Sequence, residues 1–205
     1  YGTLLHEDAL SEQQKVEYAK GITEQTKRLS GLITNILKLN RLENQQIFPE
    51  RKQYNLAEQI RECLLLFEQS WENKNIHIDV ELDDETYIYE DAELLSIVWN
   101  NLFSNAIKFT DFGGTIGIKV KKEALHITVE VSDSGCGISP ETGKHIFDKF
   151  YQGNTSHAVQ GNGLGLTLVK RVIDIVGGDI KVQSTVGEGS TFIVYLRENI
   201  TENNL

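Results

Sequence analysis

The chain has 205 residues, with 20 basic against 30 acidic side chains, a net charge of −10, and 40% hydrophobic residues. That is enough apolar material for a packed core, which excludes a disordered chain, and the length suits one domain with an appendage. An acidic chain without a Lys/Arg-rich run is unsuited to a nucleic-acid backbone, so a phosphorylated ligand would need local donors and a metal ion. No apolar run approaches the roughly 20 residues of a membrane-spanning helix, and no charged segment followed by an apolar one marks a secretory signal. Cys63 and Cys136 cannot frame a disulfide scaffold, which suits a reducing cytosol. The chain begins at Tyr1 and lacks methionine, from which we expect a piece of a longer protein.

Residues 12–43 read as one long helix. Tyr18, Gln25, Leu32 and Leu39 fall seven apart, as do Ile22, Leu29 and Ile36, giving the two-position seam of a coiled coil or four-helix bundle. Ser11 with Gln14 forms a capping box, and residues 1–9 read as the stub of a preceding element. The alternative, a helix from the core of the next domain, rarely needs so long a seam. Pro49 and the polar residues before it end the periodicity. The domains predicted are a partial helical hairpin over 1–45, a larger domain over 46–198 and a frayed tail over 199–205.

In the larger domain Asn55 caps a predicted helix over 56–72, and 76–82 alternates as a half-buried strand does. An extended piece over 87–89 precedes a helix over 93–109. Strands over 115–120 and 125–132 are joined by a tight turn at 121–124. The stretch 136–162 is polar and contains glycine, with little sustained period. A helix over 164–176 is stopped by Gly177-Gly178, and strands over 179–184 and 191–196 close the domain. This order predicts an α+β fold with helices layered on one face of a mixed sheet. The sequence holds no internal repeat and no low-complexity tract.

Chemistry concentrates in four segments. Asn101, Asn105 and Lys108 share one helical face beside the apolar stripe Leu95, Val98, Leu102, Ala106 and Phe109. Amide carbonyls suit a hard cation and an ammonium suits a phosphate; alone, the same residues are an ordinary solvated helix side. Asp133-Ser134-Gly135-Cys136-Gly137-Ile138 follows a β-branched strand, where a carboxylate can accept from a ligand amine and glycines admit a flat ring. Alone, it is a turn. Gly161-Asn162-Gly163-Leu164-Gly165-Leu166 opens a helix whose free amides can bind an anion. Its glycine spacing is not the dinucleotide fingerprint, and no Walker loop occurs in the chain. Gly187-Glu188-Gly189-Ser190-Thr191-Phe192 alone reads as a hairpin turn.

Taken in order, and with Ile146-Phe147-Asp148-Lys149-Phe150-Tyr151 between the second and third, these segments resemble the N, G1, F, G2 and G3 boxes of sensor histidine kinases. The resemblance spans 51–197, and the N-terminal seam is similar to the second helix of that family's dimerisation and phosphotransfer hairpin. It implies the ATP-binding fold shared with gyrase, Hsp90 chaperones and MutL (the Bergerat or GHKL fold), a two-layer sandwich with helices on one face of a mixed sheet. Carried onto this chain, it implies that Asp133 accepts the adenine amine, with Gly135, Gly137 and Ile138 around the ring and Thr191 reaching the adenine edge through water. Asn105 becomes the Mg²⁺ ligand, Asn101 lies in the same polar line near the phosphates, and Lys108 contacts phosphate. Gly161, Gly163 and Gly165, with Leu164 and Leu166, cradle the phosphates. The stretch 136–160 becomes a lid over ATP that carries Tyr151, and Lys149 directed at the γ-phosphate. Asn101, Lys108 and Lys149 are the residues expected to act during transfer. The implied reaction moves the γ-phosphoryl of ATP to a histidine, and then to an aspartate of a response-regulator receiver domain. The implied setting is a homodimer in the cytoplasm, or the cytosolic part of a membrane-bound sensor, with no nucleic-acid partner.

The chain departs from the family in two places. Gln152 stands where the family often has Arg, which removes one positive contact to the triphosphate. The acceptor motif H-E/D-x-x-x-P is absent: His6-Glu7 begins it, but Ser11 occupies the proline position, so the acceptor is expected upstream of Tyr1. His77, His126, His145 and His157 lack metal-ligand spacing and read as surface residues. Asp111-Phe112-Gly113 spells the metal-binding triplet of Ser/Thr/Tyr kinases without the rest of that fold, and reads as a turn. Cys136 reads as a small filler or an exposed thiol. Two other functions stay open. One is a nucleotide-gated dimerisation module that no longer transfers phosphate. The other is a gyrase- or chaperone-type ATPase, whose general-base Glu is replaced here by Asn101.

Overall fold

A capping box opens the first helix, as its sequence predicts. The Ser11 hydroxyl accepts the Gln14 amide at 3.2 Å, and the Gln14 side chain accepts the Ser11 amide at 3.0 Å. The resulting helix α1 (Glu12–Asn44) is 33 residues long. The computed structural model describes residues 11–44, 47–123, 126–153 and 162–197. The predicted stub and tail, His6, His157 and Gly161 lie outside the described residues. Two compact units divide the chain, 1–41 and 42–205. In the first, Leu29 and Ile36 of the seam are exposed, as is Ile33 beside it.

The second unit holds β1 (Lys52–Asn55), α2 (Leu56–Leu65), α3 (Glu68–Asn73), β2 (His77–Glu81), β3 (Tyr87–Glu90) and α4 (Ala92–Phe109). Then come β4 (Thr115–Lys122), β5 (His126–Asp133), α5 (Pro140–Gly143), α6 (Gly165–Val176), β6 (Asp179–Thr185) and β7 (Gly189–Arg197). The main sheet has the order β2-β4-β5-β7-β6, with β2 parallel to β4 and the other pairs antiparallel. β1 and β3 form a separate antiparallel ribbon. Alternation decides which face is covered. Ile116, Ile118 and Val120 of β4, Ile127, Val129 and Val131 of β5, and Phe192, Val194 and Leu196 of β7 form one buried row set. α4 packs on β5, α6 on β6, and the two helices on each other. The opposite face carries Lys119 paired with Glu81, and Lys121 paired with Glu130. The architecture is the expected two-layer one, with a mixed sheet covered by helices.

Three local features differ from the sequence reading. The helix predicted over 56–72 is two helices, α2 and α3, broken at Leu66 and Phe67. Four consecutive large apolar residues, Leu64 to Phe67, give a helix no single apolar stripe; the chain turns there, leaving Leu65 and Leu66 exposed. β1 was not expected, because Lys-Gln-Tyr-Asn has no apolar alternation, and its pairing with β3 supplies the order. α5 lies in the stretch read as irregular, although Ser139 as cap and Pro140 at the first position are a legible start signal.

The two thiols sit in opposite surroundings. Cys63 is buried under α2, which pushes its thiol up to about 11, with Glu62 adding to the rise, whereas Cys136 is exposed. A thiol titration with a disulfide reagent at pH 8 is therefore expected to count one fast group, Cys136, and to reach two only after denaturation. Two fast groups in the native protein would contradict this packing.

Candidate functional site

The longest helix of the second unit carries the amide line. Asp91 caps α4 by accepting the Leu94 amide at 3.0 Å, and the buried stripe from Leu94 to Ile107 fixes its rotation. That rotation leaves Asn101, Asn105 and Lys108 half-buried on the margin. The Asn101 side chain donates to the Ile97 carbonyl at 2.7 Å. Its own carbonyl oxygen would lie 2.8 Å from a Cβ on Gly165. A side chain at position 165 would therefore push the Asn101 amide aside where the start of α6 meets α4. No hydrogen bond among the described residues engages the Asn105 side chain. The Lys108 ammonium lies over the Phe109 ring, 4.6 Å from its centroid.

The end of α4 is held by a residue that the sequence reading passed over. The Lys74 ammonium donates to the carbonyls of Ile107 at 2.8 Å, Lys108 at 3.0 Å and Thr110 at 2.8 Å. Its three protons thus meet three of the carbonyls that a helix end leaves unpaired. The Phe109 carbonyl just inside this clamp presses against Gly135, so α4 and the loop after β5 are in direct contact.

Asp133 ends β5 on the helix-facing row. Its Oδ1 accepts the Gly135 amide at 2.9 Å, and burial pushes its carboxyl above the ordinary value against the pull of the Gly135 and Ser190 amides. The following loop interlocks with the β6–β7 turn. Gly137 has a φ of +69°, and a side chain there would strike the Thr185 carbonyl. The Gly187 amide donates to the Cys136 carbonyl at 2.8 Å, and the Ile138 amide donates to the Ser184 hydroxyl at 2.7 Å. Asp133, Ser184, Ser190 and Thr191 border one open polar cleft at the end of the sheet.

Register distinguishes the two residues of β7 at this cleft. Asp133 pairs with Ser190, and Ser132 pairs with Thr191. Ser190 therefore shares the helix-facing row with Asp133, while Thr191 lies on the other row. The sequence reading chose Thr191; the residue beside the carboxylate is Ser190, which is buried.

The remaining expected residues lie about the start of α6 and the segment before it. The Phe150 amide donates to the Gly163 carbonyl at 2.9 Å, and Gly163 lies against the Tyr151 carbonyl. The Tyr151 ring lies 5.3 Å from that of His145. Leu164 is fully buried at the start of α6, Leu166 two residues on is half-buried, and the Thr167 hydroxyl donates to the Phe147 carbonyl at 3.1 Å. Lys149 forms an ion pair with Glu43 at 2.8 Å rather than meeting the α4 amides. Arg171 of α6 donates to the Leu42 carbonyl at 2.9 Å.

The donor set bears on which metal could be held here. The described residues contain no cluster of three His, Cys, Asp or Glu side chains to cage a transition metal. Single amide carbonyls on α4 beside a glycine-lined helix start fit a hard cation that takes its other ligands from phosphates and water. Mg²⁺ held with a nucleotide meets that description.

An amide-bearing helix, a strand-end carboxylate and a glycine-opened helix thus meet in a chain of contacts along one end of a two-layer α+β domain. Residues 90–200 match the family described as histidine kinase-, DNA gyrase B-, and HSP90-like ATPase, and the chain belongs to it. The circadian input-output histidine kinase CikA of Synechococcus elongatus is 34% identical over 194 residues, covering 92% of this chain and 26% of that protein. The sensor-like histidine kinase SenX3 of Mycobacterium tuberculosis is 29% identical over 181 residues, covering 87% of this chain and 44% of that protein. The chain thus spans less than half the length of these curated relatives. Among solved structures, histidine kinase ThkA in complex with response regulator protein TrrA gives a TM-score of 0.76 at 28% identity, over 94% of this chain and 54% of that one. The catalytic domain of ThkA alone gives 0.66 at 30% identity, over 73% of this chain and 96% of that one.

Proposed function

We propose that the chain is the ATP-binding catalytic part of a sensor histidine kinase, which passes the γ-phosphoryl of ATP to a histidine and thence to a response-regulator aspartate. The observation that carries this reading is the half-buried Asp133 carboxylate, which accepts the Gly135 amide beside an open cleft. A desolvated acceptor at a strand end, framed by glycines, suits the exocyclic amine of adenine. Gly135, Gly137 and Ile138 then lie around the ring. Asn105 would hold Mg²⁺, which when bound offsets phosphate charge and aligns the γ-phosphoryl. Asn101 orders the neighbouring phosphates and water, and Lys108 leaves the Phe109 ring to contact phosphate. The start of α6, with Gly161, Gly163, Leu164, Gly165 and Leu166, gives backbone amides to the anion. Tyr151 and Lys149 close from the lid. Lys149 must first part from Glu43. The attacking group is an imidazole, so these residues position and neutralise rather than abstract a proton. Homodimerisation through the seam of α1 and docking of a receiver domain belong to the same proposal. So does placement on the cytoplasmic side; no described helix is long and apolar enough to cross a membrane.

Labelled ATP tests the reaction. Supplied in trans with a helical hairpin bearing H-E-x-x-x-P, the chain is expected to place acid-labile, base-stable label on that histidine. Alone it is expected to bind Mg·ATP without labelling itself. Bound nucleotide with no label on the hairpin would instead leave a nucleotide-gated module, and fast hydrolysis abolished by an Asn101 substitution would point to an ATPase.

A further inference from the structure

The strand-end row Asp133–Ser190–Ser184 crosses three neighbouring strands at one level. Ser184 is its least conspicuous member and the most heavily bonded. Its hydroxyl accepts the Ile138 amide at 2.7 Å, contacts the Gly189 carbonyl at 2.7 Å and contacts the Ser190 hydroxyl at 3.0 Å. A hydroxyl carries one proton and two lone pairs. A carbonyl cannot donate, so the Ser184 proton must go to Gly189. The contact between the two serines is then made by the proton of Ser190, and Ser184 is saturated with one bond donated and two accepted. Ser190 is left with lone pairs alone for any further partner, and it borders the same cleft as Asp133.

We propose that Ser184 is a specificity-determining positioning residue: by taking the Ser190 proton it leaves the helix-facing pair Asp133 and Ser190 with acceptors alone for a purine, so that a 6-amino purine is admitted and a 6-oxo purine is refused. The inference rests on the nucleotide reading above and adds to it a residue that touches no ligand. The ionised Asp133 and the oriented Ser190 both require donors. The exocyclic amine of adenine offers two N–H groups, directly or through a water. A 6-oxo group sets its own lone pairs against both and leaves buried acceptors unpaired.

Calorimetric binding of Mg·ADP and Mg·IDP to the 205-residue chain tests this. The wild type is expected to prefer ADP by at least about 100-fold, as sites built to pair a polar group reject the analogue that cannot pair. In Ser184→Ala the Ser190 proton loses its acceptor and can turn to a 6-oxo oxygen. IDP should then bind about 10-fold more tightly than to wild type while ADP weakens, narrowing the preference about 10- to 100-fold. Ser184→Thr, which keeps the hydroxyl, should restore the preference. Equal weakening of both nucleotides in Ser184→Ala, or an unchanged ratio, would overturn the proposal. If that variant does not fold, Ser190→Ala decides: it should narrow the ratio, since ADP loses an acceptor for its amine while a 6-oxo group loses one of the two acceptors opposing it, and an unchanged ratio there also overturns the proposal. A wild type that binds neither nucleotide would instead sink the nucleotide reading itself.

Discussion

Asp133→Asn is expected to weaken Mg·ADP binding about 100-fold in calorimetry while the nucleotide-free chain melts no lower than wild type. The two halves of this result have one cause. The carboxylate already accepts the Gly135 amide, and it needs its remaining lone pairs for the ligand amine. An asparagine has one acceptor oxygen, so its NH₂ must face either a backbone N–H or the incoming amine. Losing a charge-assisted bond and gaining a donor–donor clash costs about 2–3 kcal/mol, close to two decades of affinity. The free protein behaves in the opposite way. Burial raises the Asp133 carboxyl above its ordinary value, so at neutral pH the fold carries an ionised group that it disfavours. That penalty is present above the raised value and fades as pH falls from it to the ordinary carboxylate range. The neutral variant escapes the penalty, so any melting advantage should be largest near pH 7 and close in acid. Affinity left intact by Asp133→Asn would remove the basis for placing adenine at this strand end.

What the sequence makes legible here are features whose partners lie close in the chain. Ser11 and Gln14 cap α1 reciprocally across three positions, and Asn55 accepts the Glu58 amide at 2.9 Å at the start of α2. Both follow from local spacing. The apolar stripe of α4 likewise places Asn101, Asn105 and Lys108 on its margin, since one face of a helix fixes the others. β1 could not be read, because Lys-Gln-Tyr-Asn becomes a strand only through pairing with β3, 36 positions away by the Gln53–Tyr89 register. Ser190 against Thr191 is an intermediate case. Phe192, Val194 and Leu196 alternate and would have put position 190 on the inner row, but Ile193 also is apolar and blurs the period. Lys74 lies at the other extreme. Nothing near it in sequence announces a clamp, and its three carbonyl partners begin 33 positions downstream.

Lys74→Met should lower the melting temperature of the free chain by about 4–12 °C and weaken Mg·ADP binding about 10-fold. Methionine keeps most of the apolar stem but removes all three donors. The carbonyls of Ile107, Lys108 and Thr110 are then left to water, and the negative end of the α4 dipole keeps only Lys108 as a nearby cation. Because the neighbouring Thr110 amide and hydroxyl still bond the Ala106 carbonyl at 3.0 and 2.7 Å, the last turn should loosen rather than unwind. The net cost is then about 2–3 kcal/mol, and each kcal/mol moves the midpoint by about 2–4 °C in a chain of this size. Binding follows through geometry, since the same turn carries Lys108 and sets the Phe109 carbonyl against Gly135 in the loop beside Asp133. Nucleotide should therefore raise the melting temperature of the variant by less than it raises that of wild type. Lys74→Arg tests the geometric part, because a planar guanidinium retains the charge but cannot aim donors at three converging carbonyls. It should recover the dipole contribution and only part of the melting loss. A variant Lys74→Met melting within about 1 °C of wild type would mean that the clamp is solvent-replaceable and does not hold the end of α4.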